Sequence, residues 1–142
     1  MVRKFEDAIK VSVNAYDSGR LRLPTKLGKD AVNHFKDSFR QQGFDDSFVT
    51  PWEQRKGQLN AFNVSKKGDA GRAILVKTGR LRRSFQVAAA FKQVYITNDT
   101  PYGIFHNEGT KKMPKRQFMG DSHTLNEKFG VTIMRFMKTA FK

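Results

Sequence analysis

Residues 74–97 read ILVKTGRLRRSFQVAAAFKQVYIT, and this stretch decides the fold. Its second half holds two short runs rich in Val, Ala, Tyr and Ile, a composition typical of strands. We therefore predict strands over residues 85–90 and 93–97, joined by a turn at residues 90–92. The first half predicts a short helical turn over Thr78–Phe85, which the Thr78 hydroxyl can cap. We therefore expect two adjacent antiparallel strands in this part of the chain.

Before this stretch, apolar residues recur every four positions in two places, as on one face of a helix. The first stripe predicts a helix over residues 2–16, ended by the turn-forming residues 17–19. The second predicts a helix from Pro24 to Gln42, with Gly43 suited to a left-handed cap. The stripes consist of Phe5, Ile9 and Val13, and of Leu27, Ala31, Phe35 and Phe39.

Residues 44–73 show no period and contain several turn-forming residues, so we predict a long irregular loop. Within it we expect the Asp45–Asp46 pair to be a solvated turn. We expect the aromatic residues Trp52 and Phe62 to pin parts of the loop to the core.

After the strands, residues 102–108 predict a short helix that Gly109 closes, followed by a basic loop at 110–120. Asp121–Ser122 can cap a final helix. One face of that helix carries Leu125, Phe129, Ile133, Phe136, Met137 and Ala140. The whole pattern predicts a single α+β domain over residues 1–142, with a small antiparallel sheet packed with N-terminal helices and a C-terminal helix.

Composition excludes several classes of protein. The chain has no cysteine, which excludes disulfides and thiolate metal sites and fits assembly in a reducing cytoplasm. No apolar run approaches the length of a membrane span, and the first residues do not resemble a signal peptide. We therefore expect no membrane association.

A net charge of +14 favours an acidic partner, whether nucleic acid or protein. The excess is concentrated in residues 50–100, which hold ten Lys and Arg against three acidic residues. Arg80, Arg82 and Arg83 form one basic cluster, in which guanidinium groups suit phosphate or a partner's carboxylates equally well. A second cluster on the basic loop consists of Lys111, Lys112, Lys115 and Arg116. For this loop, a plain solvated surface is a third reading.

The sequence carries no catalytic, metal or cofactor motif. The three histidines lack metal-ligand spacing, and neither a phosphate-binding glycine loop nor a serine-nucleophile motif occurs. A nuclease would need clustered carboxylates, and the basic middle of the chain offers only Glu53, Asp69 and Asp99, none of them paired. We therefore expect no enzyme activity and no cofactor.

Five motifs in order carry a family resemblance. The first is the helix end at residues 35–39 and the second is Trp52 with Arg55. The other three are LVKTGRLRRS at residues 75–84, PYGIFHNEG at 101–109 and MPKRQFMG at 113–120. Together they resemble the phage virion-morphogenesis, or tail-completion, family of Mu-like phages. One departure is Gly103, where that family usually has alanine.

The resemblance implies a structural protein of the head–tail neck, a tail-completion or tail-terminator protein that caps the tail and joins it to the head. It implies a ring of copies, a hexamer being one arrangement, in a virion assembled in the bacterial cytoplasm. The implied partners are other neck and tail proteins, such as the adaptor, the stopper and the tail tube, with packaged DNA close by.

The resemblance also implies roles for the motif residues. The arginines of residues 80–83 would face a partner, as would the basic loop. Thr78 and Gly79 would set a cap and a tight turn, while Leu81 points to the core. The remaining structural residues are Trp52, Tyr102, Phe105, His106, Gly109, Pro114 and Phe118. Of these, Tyr102, Phe105 and His106 would pack the short helix on the sheet. Pro114 and Phe118, together with Arg116 of the basic cluster, would anchor the loop. The alternative function is a stand-alone basic DNA-binding protein, whose affinity would fall steeply with salt.

Overall fold

The structure is a computed structural model that describes residues 2–55, 72–90 and 93–140, with side chains described from Arg22 onward. Helices combine with two small antiparallel sheets, so the predicted α+β class is confirmed. The predicted positions of Phe62 and of most of the turn at residues 90–92 lie outside the described residues. In chain order the elements are α1 Val2–Gln41, β1 Gly43–Asp45, β2 Val49–Pro51, α2 Arg80–Arg83, β3 Phe85–Ala90, β4 Gln93–Asn98, α3 Gly103–Glu108 and α4 His123–Ala140.

The two predicted N-terminal helices are one continuous helix, α1, with Pro24 inside it. The prediction of a break at residues 17–19 was wrong, because local propensity is a weak preference that a long helix can override. A proline inside a helix removes one backbone hydrogen bond and crowds the preceding turn, yet α1 continues through Pro24. The left-handed residue after α1 is Gln42 (φ 57°), rather than the predicted Gly43. The Gln42 side chain donates to the Phe39 carbonyl at 2.6 Å and accepts from the Ile74 backbone N–H.

The predicted irregular loop 44–73 contains a hairpin at its start. Strands β1 and β2 pair antiparallel, with Phe44 opposite Thr50. Gly43 permits the close approach, since a Cβ there would lie 2.5 Å from the Thr50 carbonyl oxygen. The prediction that Gly43 caps the helix was therefore wrong, and its lack of a side chain serves strand packing instead.

The predicted central hairpin is confirmed, with β3 and β4 paired from Phe85↔Asn98 to Ala90↔Gln93. Helix α1 packs across one face of this sheet. The approach is close at Gly28, where a Cβ would lie 2.4 Å from Val87 Cγ1.

Two groups of buried side chains form the core, and Phe85 and Met119 contact both. The first group joins the end of α1 to the motif segments, and the second lies between α1, β1 and the start of α4. Their buried members are Phe39, Trp52, Ile74, Leu81 and Phe118 in the first and Ala31, Phe35, Phe44 and Leu125 in the second.

Helix α4 is anchored at its N-terminal end and exposed toward its C-terminal end. Ser122 is buried and caps the helix as predicted, since its Oγ accepts from the Leu125 N–H at 3.1 Å. The same hydroxyl donates to the Asp45 carbonyl, and the Asp46 carboxylate accepts from the His123 N–H at 2.8 Å. The prediction that Asp45–Asp46 is merely a solvated turn was therefore wrong.

On the C-terminal half of α4, Ile133 and Met137 of the predicted apolar face are exposed. So are Val131 and Met134, which were expected to lie off that face. Within the described residues, no helix is long and apolar enough to cross a membrane.

A basic pocket as the candidate functional site

Three of the sequence motifs and Arg55 meet around one open cavity of about 550 Å³. We call this cavity the basic pocket. Its lining residues come from the segment after β2, from α2 and the turn before it, from α3 and its N-cap, and from the loop before α4. They are Arg55, Ile74, Leu75, Lys77, Thr78, Gly79, Arg80, Leu81, Tyr102, His106 and Arg116.

The turn before Arg80 has the structure that the sequence predicts. Gly79 has φ 70°, a conformation that favours glycine, and it directly precedes α2. The Thr78 hydroxyl accepts from the Arg80 N–H at 3.3 Å, while Arg83 Nη2 donates to the Thr78 carbonyl at 2.9 Å. Leu81 is buried in the core and fixes the orientation of α2. Arg80 therefore lines the pocket, whereas Arg82 is exposed outside it.

Two half-buried arginines hold the neighbouring loops together. Arg55 Nη2 donates to the Ala73 carbonyl at 3.0 Å. Arg116 Nε donates to the Glu53 carbonyl at 2.9 Å, and its backbone N–H donates to the His106 carbonyl at 2.8 Å. Burial lowers the pKa of Arg116, an effect that Glu53 opposes and Arg55 reinforces. Arg116 thus anchors the loop, as predicted, while it also lines the pocket.

Tyr102, the N-cap of α3, and His106 within the helix have rings that meet edge to face, with centroids 6.0 Å apart. Burial lowers the pKa of His106, and the positive charge of Arg116 lowers it further, so the neutral imidazole is favoured near pH 7. Its Nδ1 is buried and has no hydrogen-bond partner among the described residues.

The prediction that Tyr102 and Phe105 pack this short helix on the sheet was wrong, because both side chains are exposed. The residue of α3 that packs closely is Gly103, where a Cβ would lie 2.8 Å from Thr100 Oγ1.

The charged side chains that line the pocket are all basic. Arg55, Lys77, Arg80 and Arg116 contribute four cations, and no acidic side chain is among the lining residues. In the described part of the chain, none of the four forms an ion pair with a carboxylate. Such a surface can bind a carboxylate or a phosphate, because guanidinium groups match either anion with paired hydrogen bonds. The described residues contain no cluster able to hold a metal ion.

The other predicted partner residues do not gather at this pocket. Arg82 and Arg83 are exposed on α2, and Lys111 and Lys112 are exposed on the turn closed by the Thr110–Met113 bridge. Lys115 lines a different cavity, beside Trp52 and Asp121. The predicted contact roles of these residues stay predictions.

The remaining motif residues do not line the basic pocket, and most of them are part of the structure around it. Trp52 is buried and donates from Nε1 to the Gln117 carbonyl at 2.6 Å, which fits its predicted role as a pin. Phe118 is buried in the core, and Gly109 (φ 77°) ends α3. Pro114 is half-buried. Sequence reasoning missed Asn107, whose Oδ1 accepts from the backbone N–H groups of Phe118 and Met119, both at 3.0 Å.

Comparison with known proteins gives one match. The profile of the phage virion morphogenesis family matches residues 2–138, nearly the whole chain. No curated protein and no solved structure matches the chain.

Proposed function

The chain belongs to the phage virion morphogenesis family, a structural and assembly family, and on that premise we propose that it is a protein of the head–tail neck. In this role it completes or terminates the tail and joins it to the head as a closed ring of copies, of which a hexamer is one arrangement. Its neighbours would be the adaptor, the stopper and the tail tube. A closed ring needs heterologous contacts, in which two different surfaces of each copy meet.

The observation that carries the proposal is the basic pocket. Motif segments far apart in the sequence converge on it, and no acidic side chain lines it. The Glu53 carboxylate acts on Arg116 from outside the lining, but within the described residues none of the four cations forms a salt bridge. We propose that an acidic segment of a neighbouring neck or tail protein supplies the missing negative charge. Complementary charge of this kind speeds encounter and fixes the register of two partners.

The small number of exposed cations at the pocket favours a protein partner over DNA. Arg55 and Arg116 are half-buried and already bound to backbone carbonyls, so Lys77 and Arg80 are the two cations left exposed at its rim. A duplex carries a phosphate charge about every 1.7 Å along its axis and is better matched by a long basic track. The stand-alone DNA-binding protein stays the alternative, since the net charge of +14 favours it.

A pair of charge reversals tests the proposal. Arg80→Glu reverses a cation that lines the pocket, whereas Arg82→Glu makes the same change on the same short helix outside it. We expect Arg80→Glu to reduce binding to purified tails at least about tenfold, which corresponds to about 1.4 kcal/mol. Arg82→Glu should reduce binding to tails only by the smaller amount that the same change in net surface charge causes.

The same variants can be tested for assembly by supplying them to a phage that lacks the gene and counting joined particles by electron microscopy. Equal losses for both variants would contradict a role for the pocket. If wild-type protein ignores tails and binds duplex DNA with a steep salt dependence, the DNA-binding alternative is correct instead.

A further inference from the structure

The central hairpin contrasts with the rest of the chain in its charge. Charged residues make up 28% of the sequence, yet none of the twelve residues in β3 and β4 is charged. One face of the hairpin packs on α1. The opposite face is exposed and carries only small or neutral polar side chains and one aromatic ring, from Gln86, Ala88, Ala90, Gln93, Tyr95 and Thr97.

The hydrogen-bond pattern identifies which backbone groups point away from the hairpin. The Asp99 N–H donates to the Ser84 carbonyl at 3.0 Å, which extends the β3–β4 ladder by one bonded pair. Bonded and non-bonded pairs alternate along an antiparallel ladder. The bonded pairs are therefore 86/97, 88/95 and 90/93. It follows that Val87 and Ala89 of β3, and Val94 and Ile96 of β4, direct their N–H and C=O groups outward.

Both edges of this sheet are unpaired within the described residues. No backbone or side-chain hydrogen bond there reaches the outward groups of β3 or β4. Free edges are usually protected by Lys, Pro or a bulge. The two strands contain neither residue, and their register runs through six successive pairs without a bulge. A strand edge without such protection can pair with a strand of another chain.

We infer that these edges join copies of the chain, with β4 of one copy pairing with β3 of the next. Two chains of charge +14 repel each other, so a contact between copies is favoured where charge is absent, and the uncharged hairpin is such a place. In a ring, all copies have the same orientation relative to the axis. The β3 strand of the next copy then runs antiparallel to β4, which continues the ladder and makes the contact heterologous.

This inference rests on the ring in the proposed function and adds the surface that closes it. Because the chain has no native cysteine, single-cysteine variants test it cleanly. Ala88→Cys and Gln86→Cys label β3, and Tyr95→Cys and Thr97→Cys label β4. Under mild oxidation, we expect disulfide-linked dimers when a β3 variant is mixed with a β4 variant, and at least tenfold less from either variant alone. If either variant alone forms as many disulfide-linked dimers as the mixture, the contact between copies is two-fold and the inference is overturned.

A proline pair provides an independent test. Ala89→Pro removes an outward N–H and should abolish the oligomer in light scattering while the monomer keeps its melting temperature. Ala88→Pro removes an N–H used inside the hairpin and should lower that temperature. An oligomer that persists in Ala89→Pro overturns the inference, as does wild-type protein that stays monomeric with and without tails.

The two proposals fail in different ways. Normal rings and joined particles without β3–β4 cross-links would refute the edge contact and leave the neck function intact. Cross-links in the purified protein, together with normal head–tail joining when the gene is absent, would refute the neck function and leave the edge contact.

Discussion

Phe118→Ala should strongly destabilise the fold, whereas Phe105→Ala, a change of the same size in a neighbouring motif, should not. Phe118 is 1% exposed, and its ring centroid lies 5.4 Å from that of Phe39 and 6.0 Å from that of Phe85. Phe105 is 52% exposed. Truncating a buried phenylalanine costs about 3–5 kcal/mol, a large part of the roughly 5–15 kcal/mol that stabilises a typical domain.

For a chain of this length, that loss should lower the melting temperature by about 10–15 °C. The assay is urea and thermal unfolding followed by circular dichroism at one protein concentration. Phe105→Ala should stay within about 1 kcal/mol of wild type, as surface substitutions usually do. Equal losses for the two variants, or a loss below about 1 kcal/mol for Phe118→Ala, would refute the assignment of Phe118 to the core and of Phe105 to the surface.

Four further predictions use the same unfolding assays. Asn107→Ala should cost about 1–3 kcal/mol, since it leaves the Phe118 and Met119 N–H groups without their acceptor, and Asn107→Asp should recover part of the loss. Gly28→Val should destabilise by about 1–3 kcal/mol, because its side chain would meet Val87 and Val94, and an unchanged midpoint would count against this packing. Gly130→Ala, on an open face of α4, should instead stabilise by up to about 1 kcal/mol, and a lower midpoint would contradict that. Burial lowers the pKa of His34 below its usual 6.5, so the folded state binds fewer protons and stability should fall as the pH drops below about 6.5; His34→Gln should flatten that slope.

The sequence predicted those parts of the fold that local pattern determines. The strands β3 and β4 follow from β-branched and small residues in two short runs, and the Ser122 cap follows from the residue type that caps helices. The break before Pro24 was wrong because turn-forming residues there are overridden by a continuous helix. The β1–β2 hairpin was missed because three-residue strands show too little alternation to detect.

The basic pocket could be predicted only in part. The motifs identified Arg80 and Arg116 as functional candidates, but their convergence depends on tertiary contacts between segments more than thirty residues apart. Arg55 and Arg116 are held by backbone carbonyls, which have no signature in a sequence. The same limit applies to Asn107, which looks like an ordinary helix residue until its backbone partners on the next loop are known.

Cryo-electron microscopy of purified particles from the phage that carries this gene would test the account most directly. We predict a closed ring of this chain at the head–tail junction, with the basic pocket facing an acidic segment of a neighbouring protein and the β3–β4 hairpins continuous from copy to copy. Particles that lack the chain, or that hold it only as isolated copies bound along DNA, would contradict it.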